Sequence, residues 1–331
     1  MTPFTERLRN GFGRERVREH APLAPFTTFK VGGPAEWLLE VSSAEELLRA
    51  FELAHAAGVA VTMLGGGSNV LISDQGVAGL VVRTRGGRIE EVGRTGEADA
   101  AVTLVRADAG ATINALVRWT IIRGFAGLEA WAGTPGTVGG GVFGNAHYGG
   151  HLLSELVDHV RLVSRERHVR DVKACDMEFA YDRSRLQRTG EILLWVVLRL
   201  RRGADSTALR AVARQSLAYR KRTQPLDTKS AGCIFQNPDP ASDALPPGIP
   251  ASAGALVDRA GLKGRSVGGA SVSTTHGNFI VNNGGATATD IRKLVKICQQ
   301  VVRDLFGLTL REEIVYLGAF EEYQKPSARR R

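Results

Sequence analysis

A chain of 331 residues, 43 % hydrophobic and 23 % charged, can form two or three domains around a substantial core. Its 39 glycines, well above an average share of roughly 7 %, favour turns and backbone-hugging loops over helical bundles. Three widely spaced cysteines, Cys175, Cys233 and Cys298, argue against a disulfide framework or a zinc site. The net charge of +9 attracts anions in general. Its densest run, Lys325 to Arg331, is a tail expected to be disordered, and it has none of the interleaved aromatics of a nucleic-acid surface. No nucleic-acid partner is expected. The charged first twenty residues lack a signal peptide's apolar core, and the longest strongly apolar run, Leu193 to Leu198, is far too short for a membrane span. The expectation is a cytoplasmic, monomeric protein without membrane contact.

In chain order, an irregular first twenty residues are expected, then a strand at Glu36 to Val41. Ser43 and Glu46 form a capping box before a helix carrying Leu47, Leu48, Phe51 and Leu53, which Gly58 ends. Val59 to Leu64 reads as the next strand, so this strand–helix–strand unit predicts a parallel pair. Further strands are expected at Leu80 to Arg83, Ile89 to Val92, Val102 to Ala107, Val157 to Ser164 and Ile192 to Leu200. A helix presents Ile113, Leu116, Val117 and Ile121 on one face. A domain boundary is placed near Gly203-Ala204-Asp205, followed by a basic helix. Asp239 to Ser252 is a proline-rich surface loop. Ile291, Leu294, Val295, Cys298, Val301, Val302 and Leu305 recur at helical spacing, Gly307 ends that helix, and Leu310 to Leu317 is a final strand.

The most informative stretch is Gly133-Thr134-Pro135-Gly136-Thr137-Val138-Gly139-Gly140-Gly141-Val142-Phe143-Gly144-Asn145-Ala146. Six glycines in fourteen residues argue against an ordinary helix or a central strand. Such backbone can offer bare N–H groups to a nucleotide's phosphates, or it can be a sharp turn in a β-rich protein. Within it, Gly139 to Gly144 matches G-x-G-x-x-G, but no hydrophobic strand precedes it, so the dinucleotide-fold meaning of that pattern is missing. A second glycine turn, Gly65-Gly66-Gly67-Ser68-Asn69, leads into a strand-like run rather than a helix.

These two glycine segments, Ser230-Ala231-Gly232-Cys233-Ile234-Phe235-Gln236-Asn237-Pro238 and His276-Gly277-Asn278-Phe279-Ile280-Val281-Asn282 occur in an order that resembles the UDP-N-acetylenolpyruvoylglucosamine reductase (MurB-type) family of flavoenzymes. The resemblance spans roughly Thr28 to Gly318 and looks closer to the family's shorter subgroup. It implies an α+β fold of the vanillyl-alcohol-oxidase (PCMH) type. A flavin-binding domain over residues 1–204, made of two subdomains split near 65–70, would precede a substrate domain over 205–318 and the tail 319–331. Non-covalent FAD would be held by Gly65, Gly66, Gly67, Ser68 and Asn69 and by Gly133, Thr134, Pro135, Gly136, Thr137, Gly139, Gly140 and Asn145. NADPH would reduce it, and a UDP-sugar would be the substrate, in peptidoglycan precursor synthesis.

The resemblance also assigns catalytic roles. Cys233 stands where the family has a proton-donating serine, and a thiol, with an ordinary pKa of roughly 8.5, is a stronger acid than an alcohol. Glu313 matches the family glutamate, with Glu312 as the alternative. The family's Tyr-Arg-x-Ser is altered here to Tyr181-Asp182-Arg183-Ser184. The enolate-stabilising arginine is therefore assigned to Arg183, with Arg185 as the alternative. Tyr181 and Asn237 are expected to contact the UDP-sugar. Gln236 replaces a family lysine, a loss that Lys221 or Arg222 would compensate. His147 and His151, four residues apart, lack a supporting cluster, and no metal is expected. Two alternatives stand beside this reading. One is another flavoprotein of the same fold that oxidises a sugar or alcohol, and the other is a non-catalytic nucleotide- or nucleic-acid-binding protein.

Overall fold

The computed structural model describes residues 2–95 and 102–320, so the basic run from Lys325 to Arg331 lies outside the described residues. The chain divides into two units. The first holds the N-terminal residues through Ala21, Ala35–Ser68 and Ala78–Thr223; the second holds Pro22–Pro34, Asn69–Val77 and the chain from Gln224 onward. Both units combine helices with sheets that are largely antiparallel, which makes the architecture α+β. Among the described residues, no helix is long and apolar enough to cross a membrane.

The first unit contains two sheets. Strands Val17–Pro22, Pro34–Val41, Val77–Thr84 and Val61–Leu64 lie side by side in that order. The predicted parallel pair forms differently from expectation: Val61–Leu64 runs parallel to Leu80–Arg83, which separates it from Pro34–Val41. Ser43 caps helix Ala44–Ala56 by accepting the Glu46 N–H. Glu46 answers through Ser42 rather than Ser43, because Arg16 holds the same carboxylate at 2.7 Å. The second sheet is antiparallel, in the order Val169–Lys173, Val157–Val163, Ile192–Arg201, Val102–Asp108, Ile89–Thr95. Ile192–Arg201 is its spine, and seven successive residues from Ile192 to Leu198 are buried, so its sequence shows a continuous apolar run instead of alternation.

Two corrections concern this unit. The first twenty residues are ordered: helix Pro3–Phe12 is capped by Thr2, and a strand follows at Val17–Pro22. Phe4, Leu8 and Phe12 recur every four residues and are buried with Trp37 and Phe51, a spacing masked by the charges between them. The division after residue 204 falls instead after Thr223. Helix Ser206–Thr223 buries Leu209 and Ala213 in the core of the second sheet, and Ser216 donates to the Ala130 carbonyl at 2.5 Å.

The second unit is built on the amphipathic helix Ala288–Phe306, whose buried face carries Ile291, Leu294, Val295, Cys298 and Val302. Three short strands, Ser266–Val267, Ala270–Val272 and Ile280–Asn282, form an antiparallel sheet. Two excursions from the N-terminal half complete the unit. Phe29 and Val31 enter the same apolar core, and Val70–Ile72 pairs in parallel with Val315–Leu317. Asp74 accepts the N–H groups of Ala288 and Thr289 at 2.7 and 2.9 Å, satisfying donors at the helix start and complementing its dipole.

Candidate active site

The two glycine segments of the first unit lock against each other. A Cβ on Gly66 would lie 2.7 Å from the Cα of Gly136, and one on Gly136, where φ is +105°, would lie 2.8 Å from Ser68 Oγ. A Cβ on Gly65 would strike Thr137 Oγ1. Real Cβ contacts of this length do not occur: at Gly66 the obstacle is backbone, at Gly136 the positive φ itself favours glycine, and at Gly65 the obstacle is the Thr137 hydroxyl. The N–H groups of Gly66, Ser68 and Gly136 find no acceptor among the described residues, and Gly66 is exposed. Unused backbone donors on adjoining glycine segments fit an anionic group such as a pyrophosphate.

Contrary to the sequence expectation, the glycine-rich stretch does contain a helix, Val138–Phe143. Its first amides are not bare. Val138 and Gly139 donate to the carbonyls of Ala111 and Ala109, both at 2.8 Å, and Gly140 donates to Thr137 Oγ1, the N-cap, at 3.3 Å. Glycine at position 139 lets the helix approach the Ala109 carbonyl, 3.0 Å from a Cβ placed there. Gly140 differs: it is exposed, and the nearest atom to its virtual Cβ is 3.7 Å away. Of the glycines in this helix, Gly140 is the one whose small size the surrounding protein does not demand.

The loop before the helix is braced by two residues that escaped the sequence reading. Asn114 accepts the Gly133 N–H at 2.7 Å and donates to the Thr134 carbonyl at 3.0 Å. Arg220 donates to Thr134 Oγ1 at 2.8 Å and lies over the Tyr148 ring. Pro135 stands exposed between them. Asn145, at φ +45°, is fully buried. Its amide donates to the Ala180 carbonyl at 2.9 Å and accepts the Ser154 N–H at 2.9 Å. Its side chain is therefore a brace between loops in this structure rather than an open ligand contact.

That brace reaches the Tyr181 turn. Ala180 and Arg183 exchange backbone hydrogen bonds at 3.0 and 3.1 Å, and Ser184 Oγ donates to the Phe143 carbonyl at 2.7 Å. Asp182 occupies the left-handed region at φ +53°, which acidic and amide residues tolerate better than most. Its side chain turns inward to His147 Nδ1 at 3.2 Å. Arg183 is exposed and forms no ion pair among the described residues. Arg185 is committed elsewhere: its guanidinium donates to the buried Glu191 at 2.8 Å and to the Asp176 carbonyl at 3.1 Å. Tyr181 is 41 % exposed.

In the second unit, residues 233–236 run between two partners. Cys233 bridges Phe279 and Phe235 bridges Glu312. Glu313 donates its N–H to the Ile234 carbonyl at 2.8 Å, which sets the Glu313 backbone one residue from Cys233. Asn278, 2 % exposed, secures this strip by accepting the Phe235 N–H at 2.9 Å and donating to the Phe235 carbonyl at 2.7 Å. Asn69 donates to the Glu313 carbonyl at 3.2 Å, so its side chain is a brace here. Asn237 is exposed, and its Oδ1 accepts the Ala253 N–H at 3.1 Å at the start of helix Ala253–Arg259.

Glu312 is tied down by Arg292 and Lys296, each at 2.8 Å. Burial opposes its charge, but Lys296, Tyr316 and Arg292 outweigh that and hold the carboxyl below its ordinary range. Cys233 is half-buried, Cys175 exposed and Cys298 buried, with burial pushing the Cys298 thiol up to about 12. With excess maleimide near neutral pH, the folded protein should label quickly at Cys175, more slowly at Cys233 and not at Cys298, as read by peptide mass spectrometry. Labelling of Cys298 before unfolding would contradict its packing.

Two family models match the chain: an FAD binding domain over residues 35–172 and the C-terminal domain of UDP-N-acetylenolpyruvoylglucosamine reductase over residues 224–317. The UDP-N-acetylenolpyruvoylglucosamine reductase of Synechococcus sp. (strain JA-3-3Ab) is 37 % identical over 310 residues, covering 93 % of each chain. A protein described as UDP-N-acetylenolpyruvoylglucosamine reductase 2, from Symbiobacterium thermophilum, is 38 % identical over 96 % of this chain and 98 % of its own. The crystal structure of the Thermus caldophilus enzyme superposes with a TM-score of 0.72 at 32 % identity, covering 91 % of this chain and 98 % of that one. The chain belongs to the UDP-N-acetylenolpyruvoylglucosamine reductase family.

Proposed function

We propose that the protein is a flavin oxidoreductase that reduces the enolpyruvyl ether of UDP-N-acetylglucosamine to UDP-N-acetylmuramate, with FAD as its resident cofactor and NADPH as reductant. The observation that supports the reading is the register of the second unit, which sets the Glu313 backbone one residue from Cys233, the residue that the motif order aligns with the family's proton donor. The glycine interlock of the first unit fits the cofactor, since the N–H groups of Gly66, Ser68 and Gly136 are unused among the described residues and Gly140 leaves room for close approach. When bound, FAD would supply the two-electron hydride chemistry that the reduction of the enolpyruvyl double bond needs.

The protein's own task is the proton. Hydride addition leaves electron density on the carbon beside the carboxylate. Cys233 gives that carbon its Sγ proton: the S–H bond breaks as the C–H bond forms, and the thiolate is reprotonated from solvent. Arg183 pairs its planar fork with the substrate carboxylate and stabilises the enolate. Glu313 acts on the same carboxyl end. Tyr181 and Asn237 hold the UDP-sugar, and Lys221 and Arg222, both exposed at the end of helix Ser206–Thr223, offset the absence of a lysine at Gln236. The domain assignment is that the first unit binds flavin and the second carries the proton donor.

The test is the visible spectrum of the purified protein under anaerobic conditions. A flavin spectrum should bleach with NADPH and return on addition of the enolpyruvyl UDP-sugar. Bleaching without return would leave a flavoprotein of another specificity, and failure to bind added FAD would overturn the cofactor assignment.

A further inference from the structure

Asn278 secures the strip beside Cys233, and one of its own bonds ends on a group that can titrate. Its amide side chain grips both backbone groups of Phe235, and its carbonyl accepts the Ile234 N–H at 2.9 Å. Its N–H, in a residue 2 % exposed, donates to His276 Nδ1 at 3.2 Å. An acceptor of an N–H carries a lone pair, so Nδ1 is unprotonated and the neutral ring holds its proton at Nε2. Burial, with the charge of Lys263 adding to it, keeps the imidazole pKa below its ordinary value. The ring is also fixed in place. Its Cε1 would lie 2.9 Å from a Cβ on Gly254, it meets the Phe279 ring edge-on at 5.0 Å between centroids, and the His276 N–H donates to Ser273 Oγ at 3.4 Å.

A proton on Nδ1 would turn this acceptor into a donor. The buried Asn278 N–H would then lose its partner, which a native fold rarely tolerates. The strain falls close to the chemistry, because the next residue, Phe279, bridges Cys233. Other charged groups on the elements packed here are Asp258 and Arg259 of helix Ala253–Arg259, Lys263 and Arg265 of the connection after it, and the Cys233 thiol of the strip itself. Asp258 holds Lys263 at 2.7 Å. Resting on the function proposed above, we infer that His276 is a positioning residue: as a neutral acceptor it holds the Asn278 turn, and through that turn the strip that carries the proton donor Cys233.

The test follows the return of flavin absorbance when NADPH-reduced, FAD-loaded protein meets the enolpyruvyl UDP-sugar, from about pH 5 to 8. His276→Ala and His276→Asn both remove the ring, but an asparagine oxygen can accept the N–H two residues on, in an Asx turn. At neutral pH, His276→Ala should slow the return about five- to tenfold, the worth of one neutral hydrogen bond, and His276→Asn should stay within about twofold of wild type. Reduction by NADPH should be unaltered in both. The wild-type rate should fall as pH drops below about 6.5, because the fold favours the unprotonated ring and loses it as pH passes down through the lowered pKa. That acid limb should be absent in His276→Asn. Amide exchange over residues 233–236, which needs no substrate, should be about five- to tenfold faster in His276→Ala and unchanged in His276→Asn. Equal rates in the two variants, or an acid limb that survives in His276→Asn, would overturn the inference. If the alanine variant does not fold, the pH comparison between wild type and His276→Asn decides it. If the sugar fails to reoxidise even the wild-type protein, the functional reading falls, and unchanged exchange in His276→Ala would overturn the brace separately.

Discussion

Cys233→Ala should take up FAD and be reduced by NADPH like the wild-type protein, yet lose turnover of the enolpyruvyl UDP-sugar by about 10²–10⁴-fold, the usual contribution of a positioned general acid. The loss should reside in the oxidative half-reaction, followed as the return of flavin absorbance after reduction. Cys233→Ser should recover a large share, because the alcohol is a weaker acid placed at the same point. A thiol donor should also respond to alkylation: maleimide at Cys233 should stop turnover while sparing flavin reduction, and a Cys175→Ser background removes the competing exposed thiol. Full turnover in Cys233→Ala would remove the cysteine from the mechanism. It would leave the fold and the cofactor untouched, since the strip around it is held by backbone bonds and by Asn278.

Two glycine substitutions should have effects of opposite sign on the apoprotein. Gly66→Ala forces a methyl to within 2.7 Å of the Gly136 backbone. That overpacking should cost about 1–3 kcal/mol of stability and reduce FAD affinity by at least tenfold, because the two segments must separate. Gly140→Ala meets nothing closer than 3.7 Å and lies inside helix Val138–Phe143. It should stabilise the apoprotein by up to about 1 kcal/mol through helix propensity while still weakening FAD by about tenfold. Thermal unfolding of the apoproteins and fluorescence titration with FAD separate the two effects. Undiminished FAD binding in Gly140→Ala would mean that the cofactor does not approach the helix there, and wild-type behaviour of Gly66→Ala would refute the interlock.

Local signals in the sequence were strong where one element decides its own form. The 3.6-residue repeat from Ile291 to Leu305 anticipated helix Ala288–Phe306, and the apolar run after Leu193 anticipated the sheet's spine. The α+β class and the family followed from motif order. What escaped detection depends on pairing across long stretches of chain. Helix Pro3–Phe12 was hidden by charges on its outer face, and Val169–Lys173 exposes every residue except Val172, so it shows no apolar pattern of its own. The glycine helix defied propensity because its cap, Thr137, and the Ala109 and Ala111 carbonyls hold it in place.

The site was legible as residue types and much less so as roles. Asn69 and Asn145 were assigned to the cofactor, but their side chains brace neighbouring loops, and a one-dimensional motif cannot separate a brace from a ligand contact. That Arg185 is held by Glu191 was a pairing that no spacing pointed to. The exchange of Asp and Arg after Tyr181 read as an irregularity until His147 supplied the carboxylate's partner.

The pairing of Val70–Ile72 with Val315–Leu317 also bears on how the protein is made. During synthesis, Val70 emerges and then waits for a partner translated roughly 245 residues later, an interval of roughly 12–50 s at ordinary elongation rates. Meanwhile Phe29, Val31 and Leu71 have no core to enter, and the carboxylate of Asp74 has no helix start to cap. The nascent chain therefore carries two short apolar segments, interrupting an otherwise complete first unit, that stay unprotected until translation is nearly finished. Premature release would leave them exposed, which makes the second unit the point where chaperone demand and aggregation of truncated chains should concentrate.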